Sequence, residues 1–466
     1  MLKKIGRLLS FFLFIALLGY SPIFAQQNVD YRSLTLSNQQ QDIYVNHFTL
    51  PGDKDGTVKF VTSFRISNQF LPFKKTNSRD NPNEFFSSVG LSIELFKAKN
   101  KVKKDNFDDL SIEGLESVGR AFWKDTAYAG TYEKTQSADI FIEGYLQVEL
   151  KSGLYNYILQ LERGAENAAQ SSRTRQVNIS TYADKKIGSV ILGEKISEKD
   201  NLIQLDLLNY GSNARYGKDY YALIHLPEYN PGHSYSVSLD KIDASKKDTT
   251  KLEDIFSKKL DSSELYQNIR PKVTSNNGKP SLTLSSVAKG YAYALVKIPN
   301  SQFANAVYRL KVTSDSQDQP VAQSVIRSFW PEIPTSLLNL NTAIEMTKYI
   351  VSESKHKELR SGSTKEKEEK FREFWKSKDP TPNTEFNELM TEYYNRVDYA
   401  YEQFSSVNNL GFETDRGQIY IKYGEPENIE RKFPSGEPAV EIWTYPSRRF
   451  VFRATTGFGD FKLVSN

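Results

Sequence analysis

The chain has 466 residues, no cysteine, 61 Lys+Arg against 57 Asp+Glu, and 27 Tyr and 28 Phe against only 3 Met. That length accommodates three or four domains, and the missing cysteine excludes a disulfide scaffold and a lipid anchor on an N-terminal cysteine, so stability has to come from packing. Three of the cations, Lys3, Lys4 and Arg7, sit at the N-terminus, and the remainder is so near neutral that nucleic acid, which asks for a strongly basic face, is excluded as a partner.

Residues 1–25 read as a secretory signal. Lys3, Lys4 and Arg7 form the positive region, Leu8 to Leu18 the apolar one, and Ile23-Phe24-Ala25 places a small residue at the cut, after Ala25. No other stretch approaches the ~20 apolar residues that cross a bilayer. The expectation is an exported protein, periplasmic or associated with the outer membrane.

Residues 28–165 alternate with period two in Val58 to Ile66, Val89 to Phe96, Ile140 to Ile142, Tyr145 to Leu150 and Gly153 to Glu162. Such runs, broken by Gly, Asn, Asp and Pro, predict an Ig-like β-sandwich, with long polar loops at 74–85 and 99–108. The small polar stretch from Gly164 to Arg175 reads as a linker. Residues 176–330 predict a second sandwich, with strands in Ser189 to Leu192, Leu202 to Leu208, Tyr220 to His225, Tyr235 to Leu239, Ser281 to Leu284, Tyr291 to Ile298 and Ala306 to Thr313. The charged segment Asp243 to Asp261 interrupts them.

The period changes at Pro331. Residues 335–408 predict a helical hairpin or bundle: Leu340, Ala343, Ile344, Thr347, Ile350 and Val351 recur at helical spacing, and Gly362 closes that helix. Ser363 and Glu366 form a capping box for a second helix, whose Lys365–Lys370 run is a solvated face and whose Phe371, Phe374 and Trp375 are its apolar side. Pro380 and Pro382 end it. A third helix starts near Asn383 or Thr384, with Phe386, Leu389, Met390, Tyr393, Tyr394, Val397, Ala400, Tyr401 and Phe404 as a buried stripe.

Residues 409–466 predict a small α+β domain. Thr414 suits an N-cap and Asp415 a helix start. Residues 416–423 fit a helix with Ile419, Tyr420 and Tyr423 on one face, or a strand with Ile419, Ile421 and Tyr423 alternating; Gly424 followed by Pro426 favours the helix. Val440 to Tyr445, Arg449 to Arg453 and Asp460 to Val464 then form an antiparallel meander. The fold class is therefore mainly β with a helical segment.

No catalytic constellation emerges. The four histidines, His47, His225, His233 and His356, make no metal-binding spacing, no serine sits in a nucleophile elbow, and the glycines make no phosphate loop. No cofactor and no metal are expected. Asp415, Arg416, Glu441 and Asp460 flank one small sheet, and read more readily as caps and ion pairs than as an acid cluster.

Phe374 to Pro382, Asn387-Glu388, Tyr394 to Val397 and Gly411 to Pro426 resemble the GWxTD domain and the segment leading into it, and the likeness continues through Glu441 to Tyr445, Phe450 to Phe452 and Gly457 to Phe461. The signature positions are Gly411, Phe412, Thr414, Asp415, Arg416, Gly417, Gly424, Pro426, Trp443, Tyr445 and Asp460. Phe412 stands where the pattern has Trp, which keeps an aromatic plug and removes an indole donor. The resemblance implies a bacterial envelope protein, and the order of helix, Gly-x-Pro and strands is similar to the small lipoprotein subunit of the outer-membrane β-barrel assembly machinery. The expected function is a non-catalytic envelope-associated interaction or scaffolding protein in outer-membrane assembly or secretion, with an envelope protein as partner and peripheral membrane association left open. Tyr420, Tyr423, Phe433, Trp443 and Tyr445 are the expected exposed anchors. The alternative is a secreted glycan-binding protein or hydrolase acting on envelope polysaccharide.

Overall fold

The computed structural model describes residues 31, 34, 41–76, 84–101, 110–164, 170–199, 202–242, 253–406, 409–455 and 460–465. The leader at 1–25, the turn at Gly457 and Gly459, and most of the polar stretches at 74–85, 99–108 and 243–261 lie outside the described residues. The chain forms two compact units, one built on residues 41–330 and the other on residues 331–466 together with residues 23–40.

The first unit is mainly β, with a short helix at Tyr132–Thr135. Its strands, in chain order, are β1 (Ile43–Pro51), β2 (Thr57–Ser67), β3 (Lys74–Lys75), β4 (Phe85–Lys97), β5 (Ser117–Ala129), β6 (Phe141–Lys151), β7 (Gly153–Arg163), β8 (Gln170–Ser171) and β9 (Arg175–Ile179), then β10 (Val190–Lys199), β11 (Leu202–Leu207), β12 (Asn213–Arg215), β13 (Tyr220–His225), β14 (Tyr235–Ile242), β15 (Glu253–Lys259), β16 (Leu265–Asn276), β17 (Lys279–Ser286), β18 (Tyr291–Ile298), β19 (Val307–Ser314) and β20 (Gln317–Phe329). A sheet β1-β2-β6 faces a larger antiparallel sheet centred on β4 and β7. Alternation decides which residues go inside: Val89, Leu91, Ile93 and Leu95 of β4 and Val58, Phe60, Phe64 and Ile66 of β2 are all buried. Where a linker is expected after Gly164, Gln170–Ser171 and Arg175–Ile179 pair with β7 and extend its sheet.

The second half departs further from an open sandwich. β10 pairs with both β11 and β13, so the sheet β10-β11-β17-β16-β18-β13 closes into a barrel, beside the five-stranded sheet β12-β20-β19-β14-β15. Closure leaves that sheet no free edge. The two β regions also share one apolar core: Leu50, Phe64 and Ile93 belong to the same buried cluster as Leu205, Leu223, Leu282 and Leu295. A buried ion pair of the first region also reaches residues of the second. Arg65 reaches Glu143 at 2.5 Å and lies over the Tyr210 ring at 4.0 Å, while Asn209 donates to Glu143 at 2.9 Å.

In the second unit the helices are α1 (Leu340–Met346), α2 (Glu353–Arg360), α3 (Thr364–Lys376), α4 (Glu388–Phe404) and α5 (Asp415–Tyr423). The helical spacing after Leu340 is interrupted: a 3-10 turn at Thr347–Tyr349 ends α1, and Ser352 caps a fresh helix. Gly362 takes φ +95 after α2, and Ser363 and Glu366 form the capping box of α3. The third helix begins later than Asn383 or Thr384. Asn387 is its N-cap, accepting from the Met390 N–H at 2.8 Å and donating to the Trp375 carbonyl at 2.8 Å, so one buried amide joins the end of α3 to the start of α4. Tyr393, Tyr394, Val397 and Ala400 of its stripe are buried, whereas Leu389 is 46 % exposed.

The strands β21 (Asn428–Lys432), β22 (Val440–Tyr445), β23 (Arg448–Ala454) and β24 (Phe461–Ser465) follow as an antiparallel meander. β21 is one strand more than expected; every residue in it is exposed, so it carries little hydrophobic signature. Residues 415–423 are helical, and Gly424 at φ +78 returns its N–H to the Tyr420 carbonyl at 2.7 Å.

Burial makes two histidines of the first unit acid-sensitive. His225 lies among the rings of Tyr182, Tyr291 and Tyr293. Burial, reinforced by the Lys185 cation, holds its ring down to about 3, and burial with Arg175 holds His47 down to about 4. Burial also lowers Lys185, to about 8. Both rings stay neutral in the folded chain and protonate in the unfolded one, so the unfolded state takes up protons as pH falls below the ordinary value of 6.5. Stability contributed by the neutral rings is present above that value and is lost as pH falls toward 4. His225→Phe should flatten this fall in urea unfolding followed from neutral to acid pH; a fall parallel to that of the native chain would refute the assignment.

Candidate functional site

The signature residues meet where α4, α5 and the C-terminal sheet join. Gly411 passes so close to α4 that a Cβ there would lie 1.9 Å from the Ala400 carbonyl oxygen, and a Cβ on Gly417 would lie 1.9 Å from the Gly411 carbonyl oxygen. Only glycine allows that approach at either position. Phe412, between them in the chain, is 3 % exposed and packs against the rings of Tyr31 and Tyr401 at 5.3 and 6.0 Å. Thr414 accepts from the Gly417 N–H at 3.0 Å and donates to the Gly411 carbonyl at 2.7 Å, so its hydroxyl caps α5 and closes the preceding turn together.

Asp415 leaves the helix start for the sheet: it accepts from the Leu463 N–H at 2.8 Å and faces Lys462 at 3.8 Å. Arg416 lies over the rings of Phe461 and Phe404, at 4.3 and 5.2 Å, and reaches Glu441 at 3.6 Å. Burial lowers the Arg416 guanidinium, opposed by the charge of Glu441 and assisted by Arg431, with Asp460 again opposing. Glu441 itself is 3 % exposed and accepts from the Trp443 indole N–H at 2.6 Å and from Arg431 at 3.1 Å. The expected polar convergence is thus present, as a cap and an ion-pair hub around Arg416 and Glu441. Gly424 and Pro426 are also buried, and Gly424 accepts from the Tyr445 hydroxyl at 2.8 Å.

Two expected anchors are core residues. Trp443 is 1 % and Tyr445 8 % exposed, and both pack with Phe450 and Phe452 against Ile419. Their alternation in β22 sends them inward, where the indole finds the one acceptor it needs. Phe433 (78 %) and Tyr423 (38 %) are exposed, and Tyr420 is half-buried. Around them the structure adds residues that the sequence did not single out. Tyr399 stacks on Tyr420 at 4.3 Å, Arg396 covers Gly424, and Arg448 donates to the Tyr423 hydroxyl at 2.9 Å above its ring. Tyr399 was hidden by position, since it lies off the stripe that marks the buried face of α4.

A second buried carboxylate also escaped sequence reading. Asp398 accepts from the Tyr31 hydroxyl, from the Ser336 hydroxyl at 2.7 Å, and from the backbone N–H groups of Thr335 and Ser336. Burial raises its carboxyl above the ordinary range, and all four donors oppose that rise. None of these partners is near Asp398 in the chain. Among the described residues, no cluster of three or more His, Asp or Glu has the arrangement of a metal site.

Replacing Glu441 with Leu should destabilise the second unit by about 3 kcal/mol, because the guanidinium of Arg416 and the indole N–H of Trp443 lose their acceptor inside the fold. Gly411→Ala should be at least as damaging, since backbone must move to admit the methyl group. Thermal and urea unfolding of the full chain test both; a wild-type midpoint for either variant would contradict the joint described here.

No curated protein matches the chain. Among solved structures it is similar to the C-terminal domain of the Streptococcus pyogenes antigen I/II-family protein AspA, at 10% identity over 62% of this chain and 100% of that one, with a TM-score of 0.14. Residues 306–461 match the family described as the GWxTD domain. That span begins just before β19, runs through the helices and the meander, and includes every signature residue described above. On this match and these motifs, residues 306–461 of the chain form a GWxTD domain.

Proposed function

We propose that this is a non-catalytic interaction protein of the bacterial envelope whose GWxTD domain docks a protein partner, in outer-membrane assembly or secretion. One observation supports this reading above others. The signature residues are occupied in holding the domain together, while a strip of tyrosine and arginine lies on its solvent side. Tyr399 and Tyr420 stack at 4.3 Å, and Tyr423 contacts Tyr445 at 5.9 Å and bonds Arg448. Burial, aided by the neighbouring Tyr399, pushes the Tyr420 hydroxyl up to about 12. Tyrosine and arginine are the residues that carry protein–protein affinity, because rigid rings order cheaply and guanidinium groups bond in fixed geometry.

Such a strip uses no reacting group, which is why the reading is binding and not catalysis. Export through the leader at 1–25 would place it where envelope partners are met. The test is a cross-linked pull-down from native envelopes with the full chain and with a Tyr399→Ser/Tyr423→Ser variant, both of which should unfold at the same temperature. A defined envelope component should be captured by the native chain and depleted at least ~10-fold by the variant, the scale of losing two hot-spot rings. Equal capture by both would sink the strip as the docking surface.

A further inference from the structure

The first unit carries an aromatic surface of a different kind. Phe86 (38 %), Phe122 (56 %) and Tyr128 (54 %) are exposed and share one face of the β4–β5 pair, since Tyr128 is opposite Phe86 and Phe122 is opposite Ser92. The face continues across β7, where Ser92 is opposite Gln160 and Gly90 opposite Glu162, and Gln160 is opposite Ser171 of β8. At its centre Gly90 interrupts a strand that is otherwise fully side-chained. A Cβ there would meet Cε2 and Cζ of Phe122 and the Glu162 carboxylate, all at 3.3 Å. The Phe122 ring therefore lies down across bare backbone with its other face in solvent and a carboxylate at its edge. A glycine within a strand marks close approach, and here what approaches is a ring held flat and open.

We infer that this face binds a neutral polysaccharide chain. Phe122 stacks on the C–H face of one sugar ring, Glu162 accepts from its hydroxyls, and Gln160 and Ser92 bond the next along the row. The charges on the face support that occupant. Arg120 is paired with Glu94 at 2.7 Å, and Lys124 stands opposite Gly90 one strand from Glu162; Lys74 lies at the other end of the face, opposite Phe86, so an anionic chain seated on Phe122 meets the Glu162 carboxylate first. A protein partner asks for a desolvated apolar centre; this face sets Phe122 beside the Ser92 hydroxyl, the Gln160 amide and the Glu162 carboxylate, which matches a molecule with an apolar face and a hydroxyl rim. The glycan alternative from the sequence thus acquires a place on the sheet face, not on the sandwich loops. It does not depend on the tyrosine–arginine strip of the other unit.

The experiment is isothermal titration of the full chain with cellohexaose, maltohexaose, mannohexaose and chitohexaose, with a heparin hexasaccharide as the charged comparison. At least one neutral hexaose should bind, about 10-fold or more weaker to Phe122→Ala, with heparin silent. Glu162→Gln should also weaken binding while leaving the unfolding midpoint unchanged, which separates recognition from support of Gly90. Binding unaffected by either variant, or no neutral hexaose bound, would overturn the inference. So would sedimentation showing a self-associating chain made monomeric by Phe122→Ala, which would assign the face to a second copy.

Discussion

A carboxylate taken out of water must find donors on every side, and in the GWxTD unit that requirement falls on Glu441. The desolvation of such a group is worth several kcal/mol before its partners act. Its three donors come from three places: Trp443 two residues along β22, Arg431 on the neighbouring β21, and Arg416 on α5. Each is in turn fixed by something else. Arg416 is held between Phe404 and Phe461, so helix α4 and strand β24 are also drawn to the same point. One buried acid thereby sets the orientation of α5 on the sheet, a specificity that apolar packing alone, tolerant of sliding, would not impose.

The glycines work on the same joint from the other side. Gly411 and Gly417 let the loop before α5 lie against the end of α4 at backbone contact, and Phe412 then plugs the aromatic core that includes Tyr394 and Trp375. The phenylalanine that stands in place of tryptophan fits this account. Its surroundings are rings, Tyr31 and Tyr401, and packing is what the position asks of it. The first unit uses a comparable device in Arg65 and Glu143, a buried pair within the β1-β2-β6 sheet that Asn209 and the ring of Tyr210 reach from the second β region. With no cysteine in the chain, such polar joints inside large apolar cores are what select one arrangement of many strands.

Much of this architecture is legible in the residues because it depends on short-range periodicity. The alternation of Val58 to Ile66 names its own buried face, Ser363 and Glu366 announce a helix start, and Gly424 with Pro426 announces a helix stop. What is not legible depends on distant partners or on weak patterns. The barrel closes because β10 finds β13, some thirty residues away, and nothing local to either strand says so. β21 is exposed at every position, so it offers no alternation to read. Leu389 sits on the helical stripe yet at its first turn, beyond the reach of the core. Trp443 and Tyr445 are aromatic in a polar neighbourhood, which suggests a surface, but inward parity in β22 decides otherwise. Asp398 was unreadable for the same reason as the barrel: its donors lie at Tyr31, Thr335 and Ser336.

The distribution of tasks has a consequence for where function lies. Residues that identify the family are those the fold cannot spare, because a methyl group at Gly411 or an apolar residue at Glu441 breaks the joint. The rings that stay partly exposed are others: Tyr399 and Tyr423 on the outside of the helices, Phe122 laid across Gly90 on the first sheet. A surface ring can be exchanged at little expense to stability, so two chains with the same signature can present different surfaces. The signature therefore reports the scaffold, and the recognition proposed above rests on the exposed rings and the polar groups that frame them.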